Sequence, residues 1–175
     1  MRNKIRTILL LLLVMTLISC GYSMSGRGLL APESAKTIGI PSFLNNTNEP
    51  YIDVEITKAV VNEFIADGRL RVVDVDAADL ALRGTVTHFS VTALSYTPDA
   101  YVQQYNIRLV VDARLDERAT GKTLWQERGI EAIFIADYPV TIGEIRVTKV
   151  AKDAALKKAS QDVAWTLRSR VLEGF

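Results

Sequence analysis

The chain contains one cysteine, Cys20, and one histidine, His88, and these two residues limit the chemistry that its side chains can do. With a single cysteine, neither an intrachain disulfide nor a cysteine-based metal site can form. His88 falls in a segment with the alternation of a strand, and zinc there would need carboxylates alone as its other ligands, which is unusual. A serine–histidine–aspartate triad would lack the nucleophile-elbow motif. We therefore expect no enzyme active site and no metal or other cofactor.

Two short motifs imitate ligand sites without completing them. Gly121-Lys122-Thr123 resembles the end of a phosphate-binding loop, but the earlier glycine position of that loop holds Asp116. The residues that follow have strand character, so this motif predicts a hairpin turn. Asp74, Asp76 and Asp79 alternate as calcium ligands can, but the glycine and distal glutamate of an EF-hand are missing, which favours a solvated turn.

Four lysines lie on the long helix predicted near the end of the chain: Lys149, Lys152, Lys157 and Lys158. The first interpretation is that they form the solvated face of an amphipathic helix. The second is that they bind the phosphate or carboxylate groups of an anionic glycolipid. The sequence leaves both open.

The amino-terminal segment has the pattern of an export signal. Arg2, Lys4 and Arg6 precede a continuous apolar segment over residues 8–18. As a helix, this segment would be about 17 Å long, whereas a bilayer core is about 30 Å thick. A cleaved signal peptide over residues 1–19 is therefore a better interpretation than a permanent membrane span.

The cleavage site gives Cys20 a specific chemistry. Leu17-Ile18-Ser19-Cys20 resembles the bacterial lipobox, in which a diacylglyceryl group is attached to the thiol before cleavage between Ser19 and Cys20. Each buried methylene contributes about 0.8 kcal/mol, so two or three acyl chains anchor a protein stably. We expect a covalent lipid on Cys20 and no other prosthetic group. The alternative is an ordinary signal peptide with a chance cysteine.

The remaining chain is expected to form one domain on a short tether. Without residues 1–19 it has 18 Lys and Arg against 20 Asp and Glu, a net charge of −2. Such a balance lacks the positive field of a general nucleic-acid binder. Residues 20–34 are rich in glycine and serine and predict a flexible tether, and residues 35–175 suit a single domain with its own core.

Apolar periodicity predicts the elements of that domain. A short strand begins at Thr37, and a polar loop over residues 42–48 leads to a helix with Asn48 as its N-cap and Gly68 just beyond its end. Strands are expected over residues 70–73, 80–93, 102–115 and 123–135, with a bulge near His88. A helix of about 30 residues follows, preceded by a capping box of Thr141 and Glu144.

These elements define a fold class. The order β-α-β-β-β-β-α predicts an α+β two-layer sandwich, in which two helices pack on one face of a mostly antiparallel, mixed sheet of four to five strands.

Six segments stand out when they are taken in order: Cys20-Gly21-Tyr22, Ile38-Gly39-Ile40-Pro41-Ser42-Phe43-Leu44-Asn45-Asn46-Thr47-Asn48-Glu49-Pro50, Asp67-Gly68-Arg69-Leu70-Arg71-Val72-Val73, Leu82-Arg83-Gly84-Thr85-Val86, Tyr105-Asn106-Ile107-Arg108-Leu109-Val110-Val111-Asp112-Ala113 and Gly121-Lys122-Thr123-Leu124-Trp125. Together they resemble the LPS-assembly lipoprotein family, LptE. The resemblance implies a lipid-anchored protein on the periplasmic side of the outer membrane. It also implies that the chain plugs the β-barrel LptD, assists its assembly and contacts lipopolysaccharide during delivery to the cell surface.

The resemblance also suggests site residues. Basic residues near a strand-to-strand loop and on the last helix bind the glycolipid in family members, and here only Lys149 and Lys158 on the helix match, because residues 95–104 contain no lysine or arginine. Loops at one end of the sheet, with Tyr96 and Tyr101, are the candidates for barrel contact. The alternative is an envelope lipoprotein that regulates cell-wall synthesis, either a penicillin-binding-protein activator or a TolB-like interaction module, because the segment around Ile40-Pro41-Ser42-Phe43 occurs in those proteins too.

Overall fold

Six strands and two helices form the part of the chain that the computed structural model describes, residues 31–32, 34–96, 98, 102–137 and 145–173. The elements are β1 (Thr37–Gly39), β2 (Leu44–Asn45), α1 (Ile52–Asp67), β3 (Arg71–Val73), β4 (Leu80–Tyr96), β5 (Val102–Glu117), β6 (Thr123–Asp137) and α2 (Ile145–Glu173). Residues 20–30 of the predicted tether, with Cys20, and the predicted capping box of Thr141 and Glu144 lie outside the described residues. At the other end of that tether, Ala31 is 3% exposed and packs in the core.

The strands form one mixed sheet in the order β3-β1-β4-β5-β6, and β2 pairs with β4. β1 runs parallel to β3 and β4, and β2 runs parallel to β4. The long β4, β5 and β6 pair antiparallel, β4 with β5 and β5 with β6. The predicted α+β class is confirmed, with six strands instead of four or five. The expected polar loop contains β2, which is too short to show periodicity in the sequence.

Both helices bury an apolar stripe in one core with one face of the sheet. On α1, Ile52, Ile56, Val60 and Phe64 are fully buried at the four-residue spacing that places side chains on the same side of a helix. On α2, Ala159, Val163, Leu167 and Val171 fill the same core. Full burial of one large aliphatic side chain contributes about 1.5–3 kcal/mol, so these stripes hold the helices on the sheet.

The central strand β5 has the alternation that the sequence predicts. Ile107, Leu109, Val111 and Leu115 are fully buried on the helix side of the sheet. Residues between them point to the other side, because successive side chains of a strand alternate. The predicted bulge is confirmed as a register shift between Val86 and His88 in the pairing of β4 with β5.

The two ends of α1 differ in how well the sequence predicts them. Gly68 adopts φ of 75° and its N–H donates to the carbonyl of Phe64, which confirms it as the residue that ends the helix. The expected N-cap Asn48 is wrong, since the N-cap is Tyr51, at φ of 64° and without a side-chain cap. The loop before it is held instead by Asn45, whose side chain accepts from Thr47 N–H and donates to a downstream carbonyl.

A network of ion pairs joins the carboxyl ends of the two helices. Arg168 of α2 donates to Glu63 at 2.9 Å and to Asp67 at 3.0 Å on α1, and it lies 3.5 Å from Glu173. Asp67 also accepts from Arg69 at 2.7 Å. The hydrogen bond from the Arg69 side chain is the main cause that lowers the pKa of Asp67 to about 2, and Arg168 adds to it. This network links the carboxyl ends of the two helices and has a structural role.

The aspartates of the alternating motif are structural as well. Asp79 accepts hydrogen bonds from the N–H of Lys36 at 2.8 Å, the N–H of Thr37 at 3.0 Å and the Thr37 hydroxyl at 2.8 Å. The Lys36 bond is the largest of the effects that lower the pKa of Asp79. Asp74 caps a single 3-10 turn, Val75–Ala77. Asp79 is exposed, as expected of a solvated turn, and in addition it fastens the start of β1.

Candidate functional site

The two faces of the sheet differ in what covers them. Helices α1 and α2 pack against each other and against one face. The opposite face, which we call the open face, presents side chains of β4, β5 and β6 that alternate with the core positions. Its members include Arg83, Thr85, His88, Ser90, Thr92, Asn106, Arg108, Val110, Asp112, Arg114, Asp116, Gln126, Arg128, Glu131, Ile133 and Ile135.

A groove of about 450 Å³ lies on the open face near β2. Three guanidinium groups line it, those of Arg83, Arg114 and Arg128. Its other lining groups are mostly small or neutral and include Ser42, Thr85, Gln126 and Leu44, with Asp112 as its carboxylate. We call this feature the arginine groove. Arginines at open-face positions of three adjacent strands converge there, and β2 forms one wall of the groove.

The charges of the arginine groove are only partly balanced. The Asp116 carboxylate forms ion pairs with two of the arginines, 3.6 Å from Arg83 Nε and 3.0 Å from Arg114 Nε. Asp112 accepts from the N–H of Gly129. Arg128 is exposed and forms no ion pair with the described residues. Because guanidinium groups bind phosphate and carboxylate through paired N–H donors, the groove can hold an anion.

The other half of the open face carries exposed aliphatic side chains among polar ones. Ile133 and Ile135 of β6 are 56% and 53% exposed, and Val110 of β5 lies near them. Arg108 and Glu131 form an ion pair in this half and so neutralise each other. We call Ile133, Ile135 and Val110 the apolar end. An anion-binding groove beside an exposed apolar surface matches an amphipathic ligand, because its charged and apolar parts would each meet a suited surface.

The structure does not bring the lysine candidates together. Lys149 and Lys158 are both on α2, nine residues apart. Nine residues is about two and a half helical turns, so the two positions lie on opposite sides of the helix. Lys158 is exposed, whereas the Lys149 side chain is outside the described part. Neither position is on the open face, since α2 covers the other side of the sheet.

The tyrosine candidates flank the connection between β4 and β5. Tyr96 is the last residue of β4 and pairs with Val102, and Tyr101 lies outside the described residues. The connection is therefore at the end of the sheet that also contains the apolar end, since Thr92 and Ile135 both pair with Asn106 near the start of β5.

Sequence reasoning missed the arginine groove although part of its signal was visible. Arg83 and Thr85 alternate with core residues of β4, and Asp112 and Arg114 do so in β5. The alternation separates two faces, but it does not say which polar positions of three strands converge. The short β2, which walls the groove, was not predicted.

No group of three or more histidine, cysteine, aspartate and glutamate side chains among the described residues is placed to hold a metal ion. Neither α1 nor α2 is long and apolar enough to cross a membrane.

Comparison with solved structures identifies the class of fold. A putative lipoprotein from Caulobacter crescentus is 14% identical, with 74% of this chain and 87% of that chain covered and a TM-score of 0.51. A minor lipoprotein from Acinetobacter baumannii is 13% identical, with 80% and 92% covered and a TM-score of 0.52. Lipoprotein B from Nitrosomonas europaea is 15% identical, with 83% and 88% covered and a TM-score of 0.52. At these identities the likeness establishes a shared fold, that of several bacterial lipoproteins.

The family follows from a sequence model. The lipopolysaccharide-assembly family model, LptE, matches residues 35–171, most of the chain. The chain belongs to the LptE family, so it is an envelope lipoprotein of the lipopolysaccharide-assembly type and is associated with that transport machinery. The family resemblance read from the sequence is confirmed. No curated protein matches the chain by sequence.

Proposed function

We propose that this protein is the lipid-anchored plug of a lipopolysaccharide translocon. It is held at the inner leaflet of the outer membrane by acyl chains on Cys20 and sits in the lumen of an LptD-type barrel. It assists assembly of that barrel and contacts lipopolysaccharide on its way to the cell surface. It does this without an enzymatic step and without a metal or other cofactor.

One observation supports the lipid contact most directly, the position of the arginine groove beside the apolar end. Lipopolysaccharide carries phosphate groups close to its acyl chains. A site that binds it therefore needs cations and an apolar surface close together. Arg128 is the cation best suited to a new anion, because it has no ion pair to give up. Arg83 and Arg114 share Asp116 and can turn toward a phosphate while one of them keeps that carboxylate.

The domain also has the properties of a plug. Barrel interiors are polar, so a body that fills one needs a rigid core and a surface of mixed charge. The single core shared by α1, α2 and the sheet supplies the rigidity. The small net charge of the chain avoids strong repulsion from a lumen of either sign.

Charge-exchange variants test the lipid contact. The purified full chain is titrated with lipopolysaccharide in mild detergent at about 0.15 M salt, where the screening length is about 8 Å. We expect Arg128→Glu to weaken binding about tenfold, since a charge-assisted hydrogen bond contributes about 1.5–3 kcal/mol. Lys58→Glu on the exposed surface of α1 is the matched control, because it makes the same kind of charge change on the helix side. We expect its affinity to stay within about twofold of the original.

Lys158→Glu separates the groove from the helix lysines. If Lys158→Glu weakens binding and Arg128→Glu does not, the lipid contacts α2 and the assignment to the groove is wrong. Equal losses in Arg128→Glu and Lys58→Glu would mean that only the overall charge matters.

A further inference from the structure

Beside the arginine groove, β6 carries one residue more than the strand with which it pairs. Two ladder pairs flank this place, Ala113 with Glu127 and Val111 with Ile130. Between them β5 has only Asp112, whereas β6 has Arg128 and Gly129. Such a two-against-one arrangement is a β-bulge. Gly129 has φ of 71°, a conformation that glycine adopts more readily than other residues.

The position of the extra residue decides which way Arg128 points. Glu127 and Ile130 both face the helices, because Ile130 is buried in the core and Glu127 accepts from Arg170 of α2 at 2.8 Å. Residues three apart in a regular strand face opposite sides, so one extra residue must lie between these two. With the extra residue at Gly129, Arg128 alternates with Glu127 and faces the groove. With the extra residue before position 128, the arginine would share the phase of Ile130 and face the core.

Asp112 holds the extra residue in this position. Its carboxylate accepts from the N–H of Gly129 at 2.9 Å, from one strand to the other. A bulged residue is left unpaired in the ladder, so the carboxylate supplies the hydrogen-bond partner that this amide would otherwise lack. Asp112 also lines the groove, but it forms no ion pair with Arg128 in the described structure. Its effect on the arginine is therefore one of placement.

We propose that Asp112 is a positioning residue of the arginine groove, whose hydrogen bond to Gly129 fixes the bulge and thereby presents Arg128 to the anionic group of the ligand. The charge of Asp112 itself opposes anion binding, because it lies in the same groove. Asp112 thus affects affinity in two opposite ways, favourably through its acceptor oxygen and unfavourably through its charge. The inference rests on the proposed function for the ligand, a phosphate group of lipopolysaccharide.

Two substitutions at Asp112 separate the acceptor from the charge. Asp112→Asn removes the charge and keeps an oxygen that accepts from an N–H, whereas Asp112→Ala removes both. The purified full chain is titrated with lipopolysaccharide in mild detergent, at the same salt concentration as above. We expect Asp112→Asn to bind at least as tightly as the original chain. Asp112→Ala should bind about threefold to tenfold more weakly than Asp112→Asn, as expected for the loss of one hydrogen bond.

A double substitution shows whether Asp112 acts through Arg128. In chains that also carry Arg128→Gln, the Asp112→Asn and Asp112→Ala variants should have affinities within about twofold of each other. A difference that persists without the arginine would mean general damage to the groove and would overturn the positioning role. NMR of each chain reports on the bulge without any ligand. Solvent exchange of the Gly129 amide should be slower in the original chain and in Asp112→Asn than in Asp112→Ala.

Glycine substitutions test the bulge from the other strand. Gly129→Ala and Gly121→Ala are matched, since the glycines have φ of 71° and 69° and neither has an atom within 4 Å of an added Cβ. Both should lower the Tm by similar amounts, because alanine is strained in this conformation. Only Gly129→Ala should also weaken lipopolysaccharide binding. Equal affinities of the two variants would contradict the role of the bulge.

The outcomes separate this inference from the proposed function. If Arg128→Gln weakens binding while Asp112→Asn and Asp112→Ala bind alike, the positioning role is wrong and the proposed function stands. If exchange of the Gly129 amide becomes fast in Asp112→Ala without any loss of affinity relative to Asp112→Asn, the same conclusion follows. If the original chain binds lipopolysaccharide and Arg128→Gln has no effect, the groove is not the site and the inference is wrong. If the original chain does not bind lipopolysaccharide, the proposed lipid contact and the inference are both wrong.

Discussion

Because the ring of Phe43 packs directly on Gly84, we expect a single methyl group added at Gly84 to destabilise the protein strongly. A Cβ added at Gly84 would lie 1.9 Å from Cε1 of Phe43 and 2.2 Å from its Cδ1, far inside van der Waals contact. Phe43 is 2% exposed and belongs to the core beneath α1, so the ring has little room to withdraw. Gly84 is therefore needed for the space that it leaves.

The magnitude follows from overpacking. Extra methyl groups in a packed core cost about 1–3 kcal/mol, and the short contact places Gly84→Ala at the upper end. Phe43→Ala alone should cost about 3–5 kcal/mol because it leaves a cavity. In the double variant the ring is absent, and alanine in a strand is then favoured over glycine by roughly 0.5–1 kcal/mol. The sign of the Gly84→Ala effect should therefore reverse, which gives a coupling energy of about 2.5–4 kcal/mol.

Thermal unfolding of the purified chain, followed by circular dichroism, measures the cycle. For a domain of this size each kcal/mol changes Tm by about 2–4 °C, so Gly84→Ala should lower Tm by roughly 4–12 °C. Gly121→Ala is the control, because Gly121 has φ of 69° and no atom within 4 Å of an added Cβ. Its cost is backbone strain alone and should be additive with Phe43→Ala. A Gly84→Ala effect that is equally additive would refute the packing explanation.

Three other predictions concern the ion network, the loop end of the sheet and the anchor. Asp67→Asn should lower the free energy of unfolding at pH 7 by roughly 1–2 kcal/mol. Because the pKa of Asp67 falls from 3.8 to about 2 in the folded protein, this difference from the original chain should shrink as the pH falls from 4 to 2. Urea titrations measure it, and a difference that stays constant over this pH range would contradict the prediction. Charged residues at Tyr96 or Tyr101 should weaken co-purification with the barrel, whereas unchanged recovery would remove that end of the sheet from the interface. Cys20→Ser should block both lipid attachment and the cleavage that follows it, so the protein should keep residues 1–19 and be lost from the outer-membrane fraction, whereas unchanged recovery in the outer membrane would show another anchor.

The sequence predicts the fold well where apolar periodicity extends over many residues. The alternation from Ile107 to Leu115 predicts β5, and the four-residue spacing from Ile52 to Phe64 predicts α1. Periodicity has this power because burial of one face is the main driving force for both elements. The same signal is absent from a two-residue strand such as Leu44–Asn45, whose formation depends on pairing with β4.

The site is harder to predict, because its residues converge only in three dimensions. Arg83, Arg114 and Arg128 are 14 or more positions apart in the chain and meet through the register of three strands and the bulge at Gly129. The role of Asp79 is hidden for the same reason, since its hydrogen-bond donors at Lys36 and Thr37 are 43 and 42 residues away. Charged residues in a sequence show which chemistry is available, whereas the pairing of strands decides where it is placed.

The most direct test of the proposed function is a pull-down through a tag after Phe175, from outer membranes extracted in mild detergent, with identification of the bound proteins by mass spectrometry. We expect one large β-barrel protein in near-stoichiometric amount. A penicillin-binding protein in its place would contradict the translocon plug and would assign the protein to the regulation of cell-wall synthesis.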